Sequence, residues 1–217
     1  MSVTFEPGLL KAYFVAGTQD LQPTQSLPGV LTDAILAGIT AFQFREKGPN
    51  ALKGLAKRQL AEILQKKCKA ANIPFIIDDD LELAMAIDAD GIHVGQDDLS
   101  VQTVLSRVRQ RRMFVGLSAS NATEIENANQ HERIAYIGSG PIFPTTSKAD
   151  ADPVIGIPEL TNLVKLSNKP IVAIGGITEA NIAELKPTGV SGAAVISMIT
   201  RSDDVVHTVA TMKEVFD

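Results

Sequence analysis

The chain has 217 residues, 45% of them hydrophobic, enough for one substantial core in a single large domain. Its net charge of −5 argues against a general nucleic-acid binder, which carries a basic excess, so any anion site has to be local. One cysteine, Cys68, excludes an intrachain disulfide framework, and the apolar run near the N-terminus is too short for a signal peptide or a membrane span; together these read as a soluble cytoplasmic protein without a membrane partner.

Residues 1–10 are set aside as an N-terminal extension, and 11–217 are read as one catalytic domain. "KAYFVA" (11–16) is the first strand, followed by a helical pattern over 27–37. "TAFQF" (40–44) is the second, and it runs into Arg45 and Lys47. Strand side chains repeat every two residues, so Gln43, Arg45 and Lys47 share one face if the extended chain continues that far. A helix over 50–71 leads to "PFIID" (74–78), which ends in the acidic run Asp78, Asp79 and Asp80. A short helix over 80–87 precedes "GIHVG" (91–95) and its following Asp97 and Asp98. Ser100 is placed to cap a helix over 100–110, and "MFVGLS" (113–118) closes on Ser118. A helix over 121–129 comes before "AYIGSG" (135–140). The segment 140–156 is rich in Pro, Gly, Thr, Ser and Asp, a long loop of the kind that often carries function. It contains Thr145, Thr146, Ser147 and Lys148. After a helix over 157–167, "PIVAIG" (170–175) ends in Gly175-Gly176, and Thr178 is placed to cap a helix over 178–185. "SGAAVIS" (191–197) and a helix over 203–216 complete the chain.

Eight strands alternating with helices imply parallel strands with crossover helices, and eight such units in one domain point to a (β/α)8 TIM barrel. A faint echo relates "IPFIIDD" and "DADGIHVG" to "KPIVAIGG" and "GVSGAAVIS", roughly 100 residues later. In a barrel this would relate strands 3–4 to strands 7–8.

In such barrels the active site lies at the C-terminal ends of the strands, where this sequence collects its polar residues. Asp79 and Asp98 fall at the ends of adjacent strands, about 4.8 Å apart, and two carboxylates that close demand a proton or a cation between them. Mg2+ takes one or two carboxylates plus phosphates and water, which suits the pair. The other reading makes the acids helix N-caps, which fits Asp80 or Asp98. Arg45, Lys47 and Lys148 converge on the same mouth, where charge-assisted bonds of roughly 1.5–3 kcal/mol each would hold a polyanion; the other reading is solvated surface charge. Acids for a metal and bases for oxygens in one mouth suggest a Mg-bound diphosphate. A second phosphate site is expected where Gly175-Gly176 allows close backbone approach, with Thr145, Ser147 and Ser197 adding hydroxyls; the other reading is a tight turn. His93, inside "GIHVG", reads more readily as a satisfied core residue than as a catalyst. His131 and His207 are assigned nothing, and zinc spacing, Walker A and G-x-S-x-G motifs are all absent.

"FQFREK" (42–47), "PFIIDD" (74–79), "ADGIHVGQDD" (89–98), "YIGSGPIFPTTSK" (136–148) and "PIVAIGGI" (170–177), in this order, resemble the thiamin-phosphate synthase family over roughly residues 12–200. The resemblance implies a TIM barrel that joins hydroxymethylpyrimidine diphosphate to thiazole phosphate with Mg2+, giving thiamin phosphate and pyrophosphate. By similarity, Gln43, Arg45, Lys47, Asp78, Ser118 and Lys148 bind the pyrimidine diphosphate. Arg45, Lys47, Lys148 and Ser118 serve the reaction itself. Asp79 and Asp98 hold Mg2+, and Thr145, Ser147, Gly176, Ile196 and Ser197 bind the thiazole phosphate. Three departures stand out: Asp78 where the family usually has Asn, Ser147 where Thr is common, and Ser120 where His is frequent. The partners implied are small molecules; a homo-oligomer is compatible with the sequence. Rival readings are a thiazole tautomerase, a sugar-phosphate isomerase or epimerase, and a non-catalytic sensor that retains the pocket. Joint retention of Arg45, Lys47, Asp79, Asp98 and Lys148 favours the synthase.

Overall fold

The structure, a computed structural model, describes residues 3–145, 147 and 153–217. Among these, eight strands form a closed, wholly parallel barrel in sequence order: β1 Ala12–Ala16, β2 Ala41–Phe44, β3 Phe75–Asp78, β4 Gly91–Val94, β5 Phe114–Ser118, β6 Ile134–Ser139, β7 Ile171–Ile174 and β8 Gly192–Val195. The helices on the outside are α1 Leu27–Ala37, α2 Gly54–Ala70, α3 Leu81–Ala86, α4 Val101–Arg107, α5 Ala122–Asn129, α6 Gly156–Leu166, α7 Ser197–Thr200 and α8 Val205–Phe216. No helix among the described residues is long and apolar enough to cross a membrane.

Local chemistry sets these boundaries. The Ser26 side chain accepts from the Gly29 N–H at the start of α1, Pro28 occupies its first turn, and Gly38, at φ 95°, ends it in the left-handed region. In α2, Ala61, Leu64 and Cys68 fall at three- and four-residue spacing and are fully buried against the barrel. Asp80, Ser100 and Asn121 each cap the helix that follows through a side-chain oxygen.

Two expectations are corrected. Thr178 does not cap an α-helix; the crossover after β7 is a 3-10 helix, Ile182–Thr188, containing Pro187. Proline has no N–H to donate and crowds the preceding turn, which disfavours a regular α-helix there. The eighth strand stops at Val195, and Ser197 opens α7.

The core has two layers. The larger packs the outward strand faces, such as Phe14, Phe42, Phe44 and Ile77, against the helices. The smaller fills the barrel interior with Leu10, Tyr13, Val15, Ala41, Ile76, Tyr136, Val172, Ala194 and Ile196. At the N-terminal end Phe5 stacks on Tyr136, ring centroids 5.7 Å apart, and tilts against Phe114 at 5.4 Å. The interior is therefore packed below and polar above.

Candidate active site

One cavity of about 420 Å³ opens at the C-terminal end of the barrel. Its wall contains Gln43, Arg45, Lys47, Asp78, Asp79, Asp98, Ser118, Thr145, Ser147, Gly176, Ile196 and Ser197, every sequence-selected site residue that is described. Lys148 and Thr146 lie outside the described residues.

One side of the mouth is electrostatic. Arg45 and Asp78 are both largely buried and face each other, Nε to Oδ2, at 3.5 Å. The Asp78 carboxylate is therefore balanced by the guanidinium beside it. The Lys47 ammonium contacts Asp79 Oδ2 and lies 3.3 Å from Asp98 Oδ1. Burial works against its charge, but the carboxylates of Asp79, Asp98 and Asp78 outweigh burial and hold Lys47 protonated above its usual range. Burial, the hydrogen bond shared with Asp98 and the charge of Asp78 raise the Asp79 carboxyl to about 7. Asp79 has φ 60°, uncommon for a residue other than glycine, and its N–H donates to the His93 carbonyl at 2.9 Å. Asp98 accepts from the Gly95 N–H at 2.8 Å through one oxygen and turns the other towards Lys47.

The N-cap reading of the acids applies to Asp80 alone. Its Oδ1 accepts from the Leu83 N–H at 3.0 Å and its Oδ2 from Lys57 at 2.8 Å, while α4 is capped by Ser100 rather than Asp98. Asp79 and Asp98 cap no helix and, held by Lys47, line the cavity. Two hard oxygen ligands that already need a cation between them fit a divalent ion whose other ligands are phosphate and water. Glu46, inside "FQFREK", plays a different part. It accepts from Thr18 Oγ1 at 2.5 Å and from the N–H groups of Thr18 and Leu52, each at 2.8 Å, so it ties the loops after β1 and β2 together.

The other side is made of backbone. Gly175 and Gly176 have φ 99° and 66°, and a Cβ on Gly176 would stand 2.5 Å from the carbonyl oxygens of Phe143 and Pro144. The glycine pair thus lets the loop after β6, with Thr145 and Ser147, lie directly on the loop after β7. Ser147 N–H donates to Thr145 Oγ1 at 3.2 Å. Ile196 and Ser197 complete this wall where β8 passes into α7.

Of the floor, sequence reading saw His93, as a satisfied core residue, and its burial and hydrogen bonds bear that out; it missed Tyr13 and Tyr136. Tyr13, His93 and Tyr136 line the bottom of the cavity and are hydrogen-bonded to one another and to Gln43 and Ser118. The signal was present as polar residues inside apolar strands, but period-two alternation alone does not say which strand faces which across a barrel. Glu124 was also missed; it accepts from the Ser120 N–H at 2.7 Å, and both residues line the rim.

The model for thiamine monophosphate synthase matches residues 12–199. The thiamine-phosphate synthase of Levilactobacillus brevis is 54% identical over 216 residues, covering 100% of this chain and 99% of the relative. That of Lactiplantibacillus plantarum is 55% identical over 212 residues, 98% of this chain and 97% of the relative. Among solved structures, the thiamine phosphate pyrophosphorylase from Pyrococcus furiosus superposes with a TM-score of 0.84 at 28% identity, covering 97% of this chain and 96% of that one.

Proposed function

The chain belongs to the thiamine monophosphate synthase family, and from that premise we propose how its cavity joins a pyrimidine diphosphate to a thiazole phosphate, forming thiamin phosphate and releasing pyrophosphate. The observation that carries the proposal is the division of one cavity into a charged wall, with Arg45, Lys47, Asp79 and Asp98, and a backbone wall at Gly175-Gly176 and Ser197. Two phosphorylated substrates in one reaction require two such subsites.

Arg45 and Lys47 receive the diphosphate, with Lys148 assigned to the same group by the family motif. Asp79 and Asp98 would hold Mg2+, which would neutralise charge on the diphosphate oxygens. Lys47 lies against both carboxylates in the same mouth, where its ammonium can meet phosphate oxygens. Gln43 and Ser118 orient the pyrimidine between them. Thr145, Ser147, Gly176, Ile196 and Ser197 hold the thiazole phosphate and thereby set its ring nitrogen against the pyrimidine methylene carbon. The bond from that carbon to the diphosphate oxygen breaks, the thiazole nitrogen supplies the new electron pair, and pyrophosphate leaves with the old one. Positive side chains aimed at the departing oxygens act where charge develops, commonly the largest catalytic contribution.

Incubating the protein with both substrates and Mg2+, with and without chelator, tests this directly. Thiamin phosphate and pyrophosphate should appear in equal amounts, and chelator should stop both. Binding of both substrates without product would identify a sensor instead. Isomerised thiazole phosphate with no pyrophosphate would identify a tautomerase.

A further inference from the structure

The cavity floor contains a hydrogen-bonded chain that crosses the barrel through five strands. Gln43 Nε2 donates to Tyr13 Oη at 2.9 Å, and Tyr13 Oη lies 2.8 Å from Tyr136 Oη. Tyr136 Oη lies 3.1 Å from His93 Nδ1, and His93 Nε2 lies 3.0 Å from Ser118 Oγ. The two ends, Gln43 on β2 and Ser118 on β5, both face the cavity. The tyrosines between them are fully buried. Glycines make the space: a Cβ on Gly116 would stand 2.5 Å from both His93 Nδ1 and Tyr136 Oη, and one on Gly138 would stand 3.0 Å from His93 Cε1.

Proton counting gives this chain a direction. An amide nitrogen can only donate, so the Tyr13 oxygen accepts from Gln43 and passes its own proton to Tyr136. Tyr136 in turn gives its proton to His93 Nδ1. A neutral imidazole that accepts at Nδ1 carries its proton at Nε2, which donates to Ser118 Oγ. The Ser118 hydroxyl proton is then left for the cavity, and so is the Gln43 carbonyl oxygen. Turning the Gln43 amide over would reverse every bond and consume the Ser118 proton on His93. Burial raises both phenols above their usual range, the Tyr13–Tyr136 contact contributing at Tyr13, so each remains a one-proton link.

We propose that Tyr13, Tyr136 and His93 are positioning residues that lock the hydrogen-bond polarity of Gln43 and Ser118 together, so that the cavity offers an acceptor at Gln43 and a donor at Ser118. The matching ligand is a flat heteroaromatic ring with an exocyclic amine towards Gln43 and an oxygen or ring nitrogen towards Ser118. The identity of that ring rests on the proposed function; the direction of the chain does not.

The test reads the histidine tautomer in the uniformly 15N-labelled protein without substrate. Only three histidines are present, so long-range 1H–15N spectra of wild type and of His131→Gln and His207→Gln variants assign His93. His93 is expected as the Nε2–H tautomer. Tyr136→Phe removes the donor to Nδ1 and should shift His93 towards a mixture or the other tautomer. The same variant should lower kcat by about tenfold, the worth of one neutral hydrogen bond, with the KM for thiazole phosphate little changed. In a Ser118→Ala background, Tyr136→Phe should cost clearly less than it does in the wild type. Tyr13→Phe, which breaks the chain one link earlier, gives the same reading if Tyr136→Phe does not fold. A wild-type Nδ1–H tautomer, an unchanged tautomer in a folded Tyr136→Phe protein, or full additivity with Ser118→Ala would overturn the proposal. Because the spectra need no substrate, a protein that makes no thiamin phosphate but shows the expected tautomers contradicts the functional reading alone.

Discussion

At the scale of single residues, the decisive question is how two nearby carboxylates share one cation. Asp79 and Asp98 share the Lys47 ammonium, and Asp98 also accepts from the Gly95 N–H. Asp98→Ala removes one of the two oxygens proposed for Mg2+ and leaves the Gly95 N–H to water at a partly exposed rim. Turnover should fall by about a hundredfold or more, as it does when a group aimed at developing charge is lost, while stability should change by about 1 kcal/mol or less. Steady-state kinetics with a Mg2+ titration and urea unfolding on the same preparation check both halves. Equal losses in activity and stability would make Asp98 a loop brace and nothing more. Cys68 gives a contrasting residue. It is fully buried on α2, and burial, with a smaller contribution from Asp90, raises its thiol to about 12. At pH 8 the folded protein should react with a thiol reagent only at its unfolding rate, and with one equivalent per chain once urea is added.

At the scale of elements, the strands were legible because both of their faces are buried, so each reads as a short apolar run between turn residues. The helix cap at Ser100 was legible because its side-chain oxygen stands directly before a helical apolar pattern, whereas the cap at Ser26 was not read. Less legible was what depends on partners far away in sequence. The floor network needs β1, β2, β4, β5 and β6 in one register, and no local pattern supplies that. The 3-10 crossover at Ile182–Thr188 was hidden by a helical apolar period that Pro187 interrupts near its end. The Gly175-Gly176 turn could be read either as a phosphate contact or as a tight turn, and the structure gives it a third duty. It is where the β6 and β7 loops touch. Gly176→Ala would place a methyl 2.5 Å from two carbonyl oxygens on a backbone at φ 66°. The strain of a non-glycine residue there is about 1–2 kcal/mol, and relief requires the β6 loop, with Thr145 and Ser147, to lift. The expected outcome is a KM for thiazole phosphate raised at least about tenfold, with the KM for the pyrimidine diphosphate nearly unchanged. Denaturant unfolding and the two substrate titrations check it; a rise in both KM values together would mean that the whole rim had moved.

At the scale of the whole molecule, the closed barrel gathers Asp78, Asp79 and Asp98 at one rim, so its stability has to depend on how those acids are charged. Asp79 has a folded-state pKa raised to about 7, above its ordinary 3.8. Between those values the folded protein binds more protons than the unfolded chain, so stability falls as pH rises through that window. Asp98 is shifted the other way. Burial opposes its ionisation, but the hydrogen bond with Asp79, the Gly95 N–H and Lys47 outweigh it, and its stabilising contribution is complete above the ordinary carboxylate pKa. Of this pair Asp79 alone titrates between about pH 4 and 7, burial also raises the Asp20 carboxyl and adds a slope of the same sign, and solvent screening at this partly exposed site reduces the Asp79 effect to on the order of 1 kcal/mol. For a domain of this size that is a fall in Tm of roughly 2–4 °C between pH 5 and pH 7.5. A divalent cation needs the ionised form, so saturating Mg2+ with pyrophosphate should bind more tightly as pH rises and reverse the slope. Asp79→Asn has no carboxyl to titrate, so it should lose the Asp79 share of the fall, keep the share that Asp20 contributes, and show no reversal. Thermal melts from pH 5 to 7.5, with and without Mg2+ and pyrophosphate, separate the cases. If the metal-free melts of wild type and Asp79→Asn run parallel across this range, Asp79 is ionised throughout, and the rim holds its negative charge with Lys47 and Arg45 alone.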